Sequence, residues 1–371
     1  MHACAKPDGE TDSTKAFLNA WAAACGSVTP ATIYVPPGRY LLLNAVFQGQ
    51  CKNSAITIRI DGTLVAPSDY SVLGNAENWL SFEFVDGVSI YGGILDGQGI
   101  GLWACKASGK SCPSGATGFK FVVYVQSLSF TNSNNIVING LTSLNSQLYH
   151  IVINGCQNVK VQGVRVLASR NSPNTDGIHV QLSTGVTILG ATIKTGDDCI
   201  SIGAGTNNLW IENVACGPGH GISIGSLGKD LQEPGVQNVT VKTITFTGSQ
   251  NGVRIKSWDR RSSGFAKGVL FQHALMVKVQ NPIVIDQNYC SGNEGCPGQV
   301  SSVKISDVTY QDIHGTSATE VAVKFDCSSK NPCSGITLED VKLTYMNQPA
   351  QASCVNAGGT ASGLVEPTSC L

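Results

Sequence analysis

Tetrads of the form turn residue, apolar, polar, apolar recur through this chain at a nearly fixed interval, and that recurrence constrains the fold more than any other feature. They begin at Asn135-Ile136-Val137-Ile138 and Asn158-Val159-Lys160-Val161, and continue at Gly185-Val186-Thr187-Ile188 and Asn208-Leu209-Trp210-Ile211. Asn238-Val239-Thr240-Val241, Gly268-Val269-Leu270-Phe271, Ser302-Val303-Lys304-Ile305 and Gly335-Ile336-Thr337-Leu338 complete the set. Their first residues step by 23, 27, 23, 30, 30, 34 and 33 positions. A second set runs in phase, starting at Ile151, Ile178, Ile200, Ile222, Val253 and Ile283, with steps of 27, 22, 22, 31 and 30. Strands this short, alternating with period two and bounded by Gly, Asn, Ser and Asp, read as the coils of a solenoid. The expected fold is all-β, a right-handed parallel β-helix whose coils stack about 4.8 Å apart and turn Ile and Val inward. A propeller would need about 40 to 45 residues per blade, and leucine-rich repeats their own Leu and Asn pattern; the chain has neither.

A solenoid grows by adding coils, so the 371 residues are predicted to form one domain, 1–371. Its ends would expose strand edges and apolar core, and they need covers. Asp12-Ser13-Thr14 precedes Phe17, Leu18, Trp21, Ala24 and Cys25 on one helical face, with Gly26 as the stop, which predicts a capping helix over about 10–26. The segment 345–371, with Cys354 and Cys370, is expected to cover the other end. The balance of 24 Lys+Arg against 25 Asp+Glu argues against a nucleic-acid partner or a polybasic membrane anchor. No stretch reaches the roughly 18 to 20 apolar residues of a spanning helix, so no membrane partner is expected. With 42 glycines and only 13% charged residues, a coiled coil and a disordered tail are both excluded.

Fourteen cysteines include five near-neighbour sets: Cys105 with Cys112, Cys199 with Cys216, Cys290 with Cys296, Cys327 with Cys333, and Cys354 with Cys370. Their loops carry no histidine, and no C-x2-C spacing occurs, so no metal site is expected there. The reading is a set of disulfides formed in an oxidising compartment, with a buried thiol the alternative for Cys4 and Cys156. The sequon Asn238-Val239-Thr240 fits a secreted glycoprotein. The chain opens Met1-His2-Ala3-Cys4 without an apolar signal region, so a secreted protein of this sequence would be a trimmed or recombinant form.

The repeat also makes a spatial prediction. Two positions before Ile178, Ile200 and Ile222 stand Asp176, Asp198 and His220, with Asp197 beside Asp198. Equivalent positions on stacked coils are neighbours, so these residues should form a ladder along the solenoid. One coil further on, Arg254 and Lys256 supply two cations, while Gly177, Cys199, Gly221 and Gly252 give a low floor. Any one acid before a strand is most simply a cap for backbone N–H groups. A stacked set is different, because like charges about 5 Å apart resist simultaneous ionisation and are retained for chemistry. Glycoside hydrolysis needs a protonated carboxyl to serve the leaving oxygen and an ionised one to activate water. Nearby cations suit an acidic polysaccharide.

At these residues the sequence resembles the polygalacturonases of glycoside hydrolase family 28. The motifs are Asn174-Thr175-Asp176, Gly196-Asp197-Asp198, Gly219-His220-Gly221 and Arg254-Ile255-Lys256, in family order and spacing. The resemblance runs from Ala5 to Cys370 and is strongest to the plant branch, including floral, pollen and allergen members. It implies an inverting, metal-free mechanism without cofactor, acting on polygalacturonate in pectin. Asp197 would be the general acid, Asp176 and Asp198 would hold the water, and His220 would tune the acid. Asn174, Arg254, Lys256 and Tyr289 would bind substrate, the two cations by gripping galacturonate carboxylates, and Cys199 would pair with Cys216. It further implies a secreted, cell-wall protein, read here as a monomer. Two departures stand out: Cys4 where the family signature has Gly, and Arg170 with the bulky 119–125 stretch at the cleft rim. Two other readings compete. A pectate lyase would need calcium held by acids, and a catalytically inactive pectin-binding or allergenic surface protein would lack turnover although every motif residue is present.

Overall fold

The computed structural model describes residues 5–74, 76, 78–109, 111–112, 126–290 and 296–371; Cys4 and the 119–125 stretch lie outside them. The fold is all-β and parallel, with the right-handed β-helix architecture expected from the repeat. Its coils fall into two compact units, Met1–His179 with Val186–Asp197, and Val180–Gly185 with Asp198–Leu371.

In the first unit, strands Ala31–Val35, Ile56–Val65, Val88–Asp96, Asn134–Asn139 and Gln157–Gln162 pair in parallel. A second sheet joins Ala45–Gln48, Asn78–Glu83, Gln126–Thr131 and Ile151–Asn154. The register sets Ile136 beside Val159 and Ile138 beside Val161, so the tetrads lie one above another. Asn135 and Asn158 open these tetrads at φ +55°, a left-handed corner that Asn tolerates better than most side chains. The Asn158 amide donates to Asn135 Oδ1 at 2.6 Å, tying consecutive corners together.

The second unit repeats the arrangement. Asn207–Cys216, Val236–Thr247, Phe265–Val279, Lys304–Ser317, Cys333–Tyr345 and Ala357–Glu366 form one parallel series. Ile200–Ile202, Ile222–Leu227, Asn251–Trp258, Asn281–Tyr289, Val321–Asp326 and Gln351–Val355 form the other. One tetrad is corrected by the register. Val269 pairs with Val308 and Val308 with Ile336, so the coil position of Gly268 and Gly335 is taken by Asp307 and not by Ser302. Asp307 has the corner's positive φ of 54°, whereas Ser302 lies in the preceding connection. Both tetrads bury alternate apolar residues, Val303 and Ile305 in one and Val308 and Tyr310 in the other, and alternation alone cannot separate them.

The N-terminal helix spans Thr14–Gly26, not 10–26: Asp8–Asp12 is a strand paired with Arg39–Leu41. Asp12 Oδ1 accepts from the Thr14 N–H at 2.9 Å and serves the helix start. Trp21 packs edge-on against Phe47 and Phe82 at 5.7 and 5.5 Å, covering the apolar end of the coils. Two helices that periodicity did not indicate, Tyr70–Leu73 and Ile100–Ala107, interrupt the strands of this unit. Segment 345–371 is itself strand-forming, and Gln351–Val355 and Ala357–Glu366 extend the two series by one more coil.

All five near-neighbour cysteine sets are disulfides, and Cys25 pairs with Cys51 as well. Cys156 is a buried thiol 3.4 Å from the Phe130 and Asn154 carbonyl oxygens, and burial pushes its pKa up to about 11. The sequon residue Asn238 occupies an exposed coil corner, its amide donating to Asn208 Oδ1 at 3.2 Å.

Candidate active site

The acids of the first unit are placed by two connections that touch. Asp176, 5% exposed, precedes the strand Ile178–Gln181, and its backbone carbonyl accepts from the His150 N–H at 2.9 Å. Asn174 is exposed in a left-handed conformation, φ 56°, while Thr175 is buried. The Gly196 N–H donates to Thr175 Oγ1 at 3.2 Å, so the residues immediately before Asp176 and before Asp197 are hydrogen bonded. Only glycine permits this approach: a Cβ at 196 would lie 2.1 Å from the Ser172 carbonyl oxygen. Arg170, singled out from the sequence, is exposed, and its carbonyl oxygen would lie 2.9 Å from the same Cβ.

Asp198 follows Asp197 in the chain and belongs to the second unit. Its Oδ1 accepts from Ser223 Oγ at 2.7 Å and Arg254 Nη2 at 3.1 Å, and its Oδ2 accepts from Lys256 Nζ at 2.9 Å. Asp198 is 1% exposed and Lys256 7%. Burial by itself pushes the Asp198 carboxyl up, but the charges of Lys256 and then Arg254 outweigh it, and the group is held below the ordinary carboxylate range. Burial likewise pulls Lys256 down, and the carboxylate of Asp198 more than restores it, leaving the ammonium above its ordinary value. The pair is therefore ionised. Register explains the convergence: Ser223 pairs with Arg254 across adjacent strands, and Arg254 Nε donates to Ser223 Oγ at 3.0 Å.

His220 stands on the connection before Ile222–Leu227, and one of its ring nitrogens lies within 4.8 Å of an Asp198 oxygen. Its backbone carbonyl accepts from the Asn251 amide at 3.0 Å, and Asn251 in turn accepts from Asn281 at 3.2 Å. Gly221 has φ 89°, and a Cβ there would lie 2.2 Å from the Asn251 carbonyl oxygen, so the low floor is a packing requirement. Tyr289 sits with its ring 5.2 Å from Lys256 Nζ. Cys199 is bonded to Cys216, which anchors the chain directly after Asp198.

The arrangement sharpens the sequence reading in one respect. Arg254 and Lys256 already spend donors on Asp198, whereas the sequence offered them only as clamps for substrate. Both oxygens of Asp198 carry cationic partners, which lowers the attraction that a calcium ion would find there. Ser223 and Trp258 were not singled out by the motif reading. Alternation along Asn251–Trp258 could have found Trp258, since it shares a strand face with Arg254 and Lys256; Ser223 carried no signal apart from its register with Arg254.

Comparison with known proteins bears on this geometry. The family model described as glycosyl hydrolases family 28 matches residues 25–365. A polygalacturonase of Prunus persica is 70% identical over 368 residues, covering 99% of this chain and 91% of that protein. An exopolygalacturonase of Oenothera organensis is 41% identical over 366 residues, covering 97% and 98%. Among solved structures, an endo-xylogalacturonan hydrolase of Aspergillus tubingensis superposes with a TM-score of 0.82 at 25% identity, covering 97% of this chain and 99% of that one.

Proposed function

This chain belongs to glycosyl hydrolases family 28, and we propose that it is a polygalacturonase, cleaving α-1,4-galacturonosyl linkages of pectin by an inverting, metal-free acid/base mechanism. The observation that carries the division of labour is the ionised state of Asp198 between Lys256 and Arg254. A carboxylate held in that state cannot deliver a proton at working pH, so the proton donor falls to its chain neighbour Asp197, which is half-buried. In the proposed reaction the Asp197 proton passes to the glycosidic oxygen as its bond to the anomeric carbon breaks. A water on the opposite face forms the new bond, and its proton goes to Asp176 or Asp198, the two acids assigned to hold it. His220 tunes the acid, and Asn174, Arg254, Lys256 and Tyr289 bind the substrate. Since Asp197 must be protonated while its partner is not, an acidic optimum is expected.

The proposal places the protein in the secreted compartment acting on the cell wall, as a monomer in a single β-helix domain; six disulfides support an oxidising environment. The test is reducing-sugar release from polygalacturonate by the protein and by Asp197→Asn, with the anomer of the first product followed by NMR. Equal rates in the two proteins would overturn the assignment of the acid, and a retained anomer would overturn inversion. A product absorbing in the near ultraviolet, with activity lost in chelator, would instead indicate a lyase. Product length over time separates internal from terminal cleavage.

A further inference from the structure

We infer that Trp258 and Arg260 form an additional subsite for an acidic sugar, one position beyond the sugar held at Lys256 and Tyr289. This rests on the proposed function. Alternate residues along Asn251–Trp258 share a face, which puts Arg254, Lys256 and Trp258 in a row. The row continues through side-chain contacts. Lys256 Nζ lies 5.2 Å from the Tyr289 ring centroid, Tyr289 meets Trp258 edge-on at 5.5 Å and 70°, and Arg260 Cζ lies 5.7 Å from the Trp258 ring. Cation and aromatic thus alternate outward from the Asp198 cluster, Lys256, Tyr289, Trp258, Arg260. A polymer of acidic sugars presents the matching pattern, with an apolar ring face and a carboxylate on every unit.

Arg260 is held rather than free to swing. Its Nη1 donates to the Lys229 carbonyl oxygen at 2.7 Å and its backbone N–H to the Trp258 carbonyl at 2.9 Å. Among the described residues, Trp258 Nε1 and Arg260 Nε are buried donors without a hydrogen-bond partner, and Asp259 Oδ1 is a buried acceptor without one. Three consecutive residues that each leave a polar atom unsatisfied mark a resting arrangement that is incomplete, because native interiors ordinarily satisfy such atoms. A uronate carries the matching chemistry, a carboxylate that can accept from a guanidinium and hydroxyls that can donate. A guanidinium fixed beside an indole is suited to that ligand, through a charge-assisted hydrogen bond and a ring-face contact.

The test uses unesterified oligogalacturonates of increasing length with the wild type, Arg260→Gln and Trp258→Phe. Substrates too short to reach the subsite should keep their KM, while longer ones should lose about fivefold or more in KM with Arg260→Gln. A fully methyl-esterified oligomer should be insensitive to Arg260→Gln. Dissociation constants for the same series, measured calorimetrically in the Asp197→Asn background, give a readout independent of turnover. An equal effect at every length, or none at any, would overturn the subsite. Failure of the wild type to hydrolyse polygalacturonate would instead overturn the proposed function, and the two failures are distinct.

Discussion

Asp198→Asn removes the negative centre of a buried cluster, and the structure sets how large the consequence should be relative to its neighbours. Deleting one partner of a buried ion pair costs about 3–5 kcal/mol, because the other charge is left uncompensated. Asp198→Asn should lie at the top of that range, since it strands two cations at once, Lys256 at 2.9 Å and Arg254 at 3.1 Å. Lys256→Met should lie at the bottom or below it. Asp198 then keeps Arg254 and the Ser223 hydroxyl at 2.7 Å. The double variant should cost less than the two single variants together by about 1–3 kcal/mol, the coupling expected of groups in one network. Urea unfolding at pH 7 measures all three, with a shifted midpoint at unchanged slope reporting stability alone. Because the carboxyl is held below its ordinary value, its stabilising contribution is present above the unfolded pKa of about 3.9 and is lost as pH falls through the lower folded value. Lys256→Met costing as much as Asp198→Asn, or strict additivity in the double variant, would refute the view that Asp198 is the shared anion of the cluster.

His150 is fully buried, with Nδ1 2.8 Å from Ser143 Oγ, and burial pulls its pKa down to about 3. The unfolded chain takes up a proton near pH 6.5 that the folded one refuses, so stability should fall by about 1.4 kcal/mol per unit as pH drops below 6.5. His150→Gln should flatten that slope in urea titrations, and an unchanged slope would contradict the assignment. Tyr310 stacks on Phe271 at 5.3 Å, and among the described residues its buried hydroxyl has no hydrogen-bond partner. Tyr310→Phe is therefore expected to stabilise by about 1 kcal/mol, the relief of an unsatisfied buried group, and a loss of stability would show that the hydroxyl is satisfied. Gly196→Ala should lower kcat/KM by about a hundredfold with circular dichroism unchanged, since a shift near 1 Å at the acids suffices for that; near-normal turnover would mean that the 2.1 Å approach to Ser172 does not position them.

What could be read from the sequence follows from which interactions repeat. A coil buries alternate residues and turns at a left-handed corner, so each of its strands leaves the same short signature, and the stack became visible as a period. Where two successive tetrads carry the same alternation, as at Ser302 and Asp307, only the hydrogen-bond register separates them. The disulfide between Cys25 and Cys51 escaped because it joins residues 26 apart, a coil's length, whereas the legible pairs close loops of 6 to 17. Short helices such as Ile100–Ala107 belong to a connection and break the period without replacing it. At the site, spacing put the charged residues on successive connections and treated the acids as a repulsive set seeking relief. Lys256 and Arg254 provide that relief for one of them by direct contact. Asp198 is thereby set apart from its chain neighbour by strands more than fifty residues downstream, a contact that composition and spacing along the chain do not encode and on which the proposed division into acid and base rests.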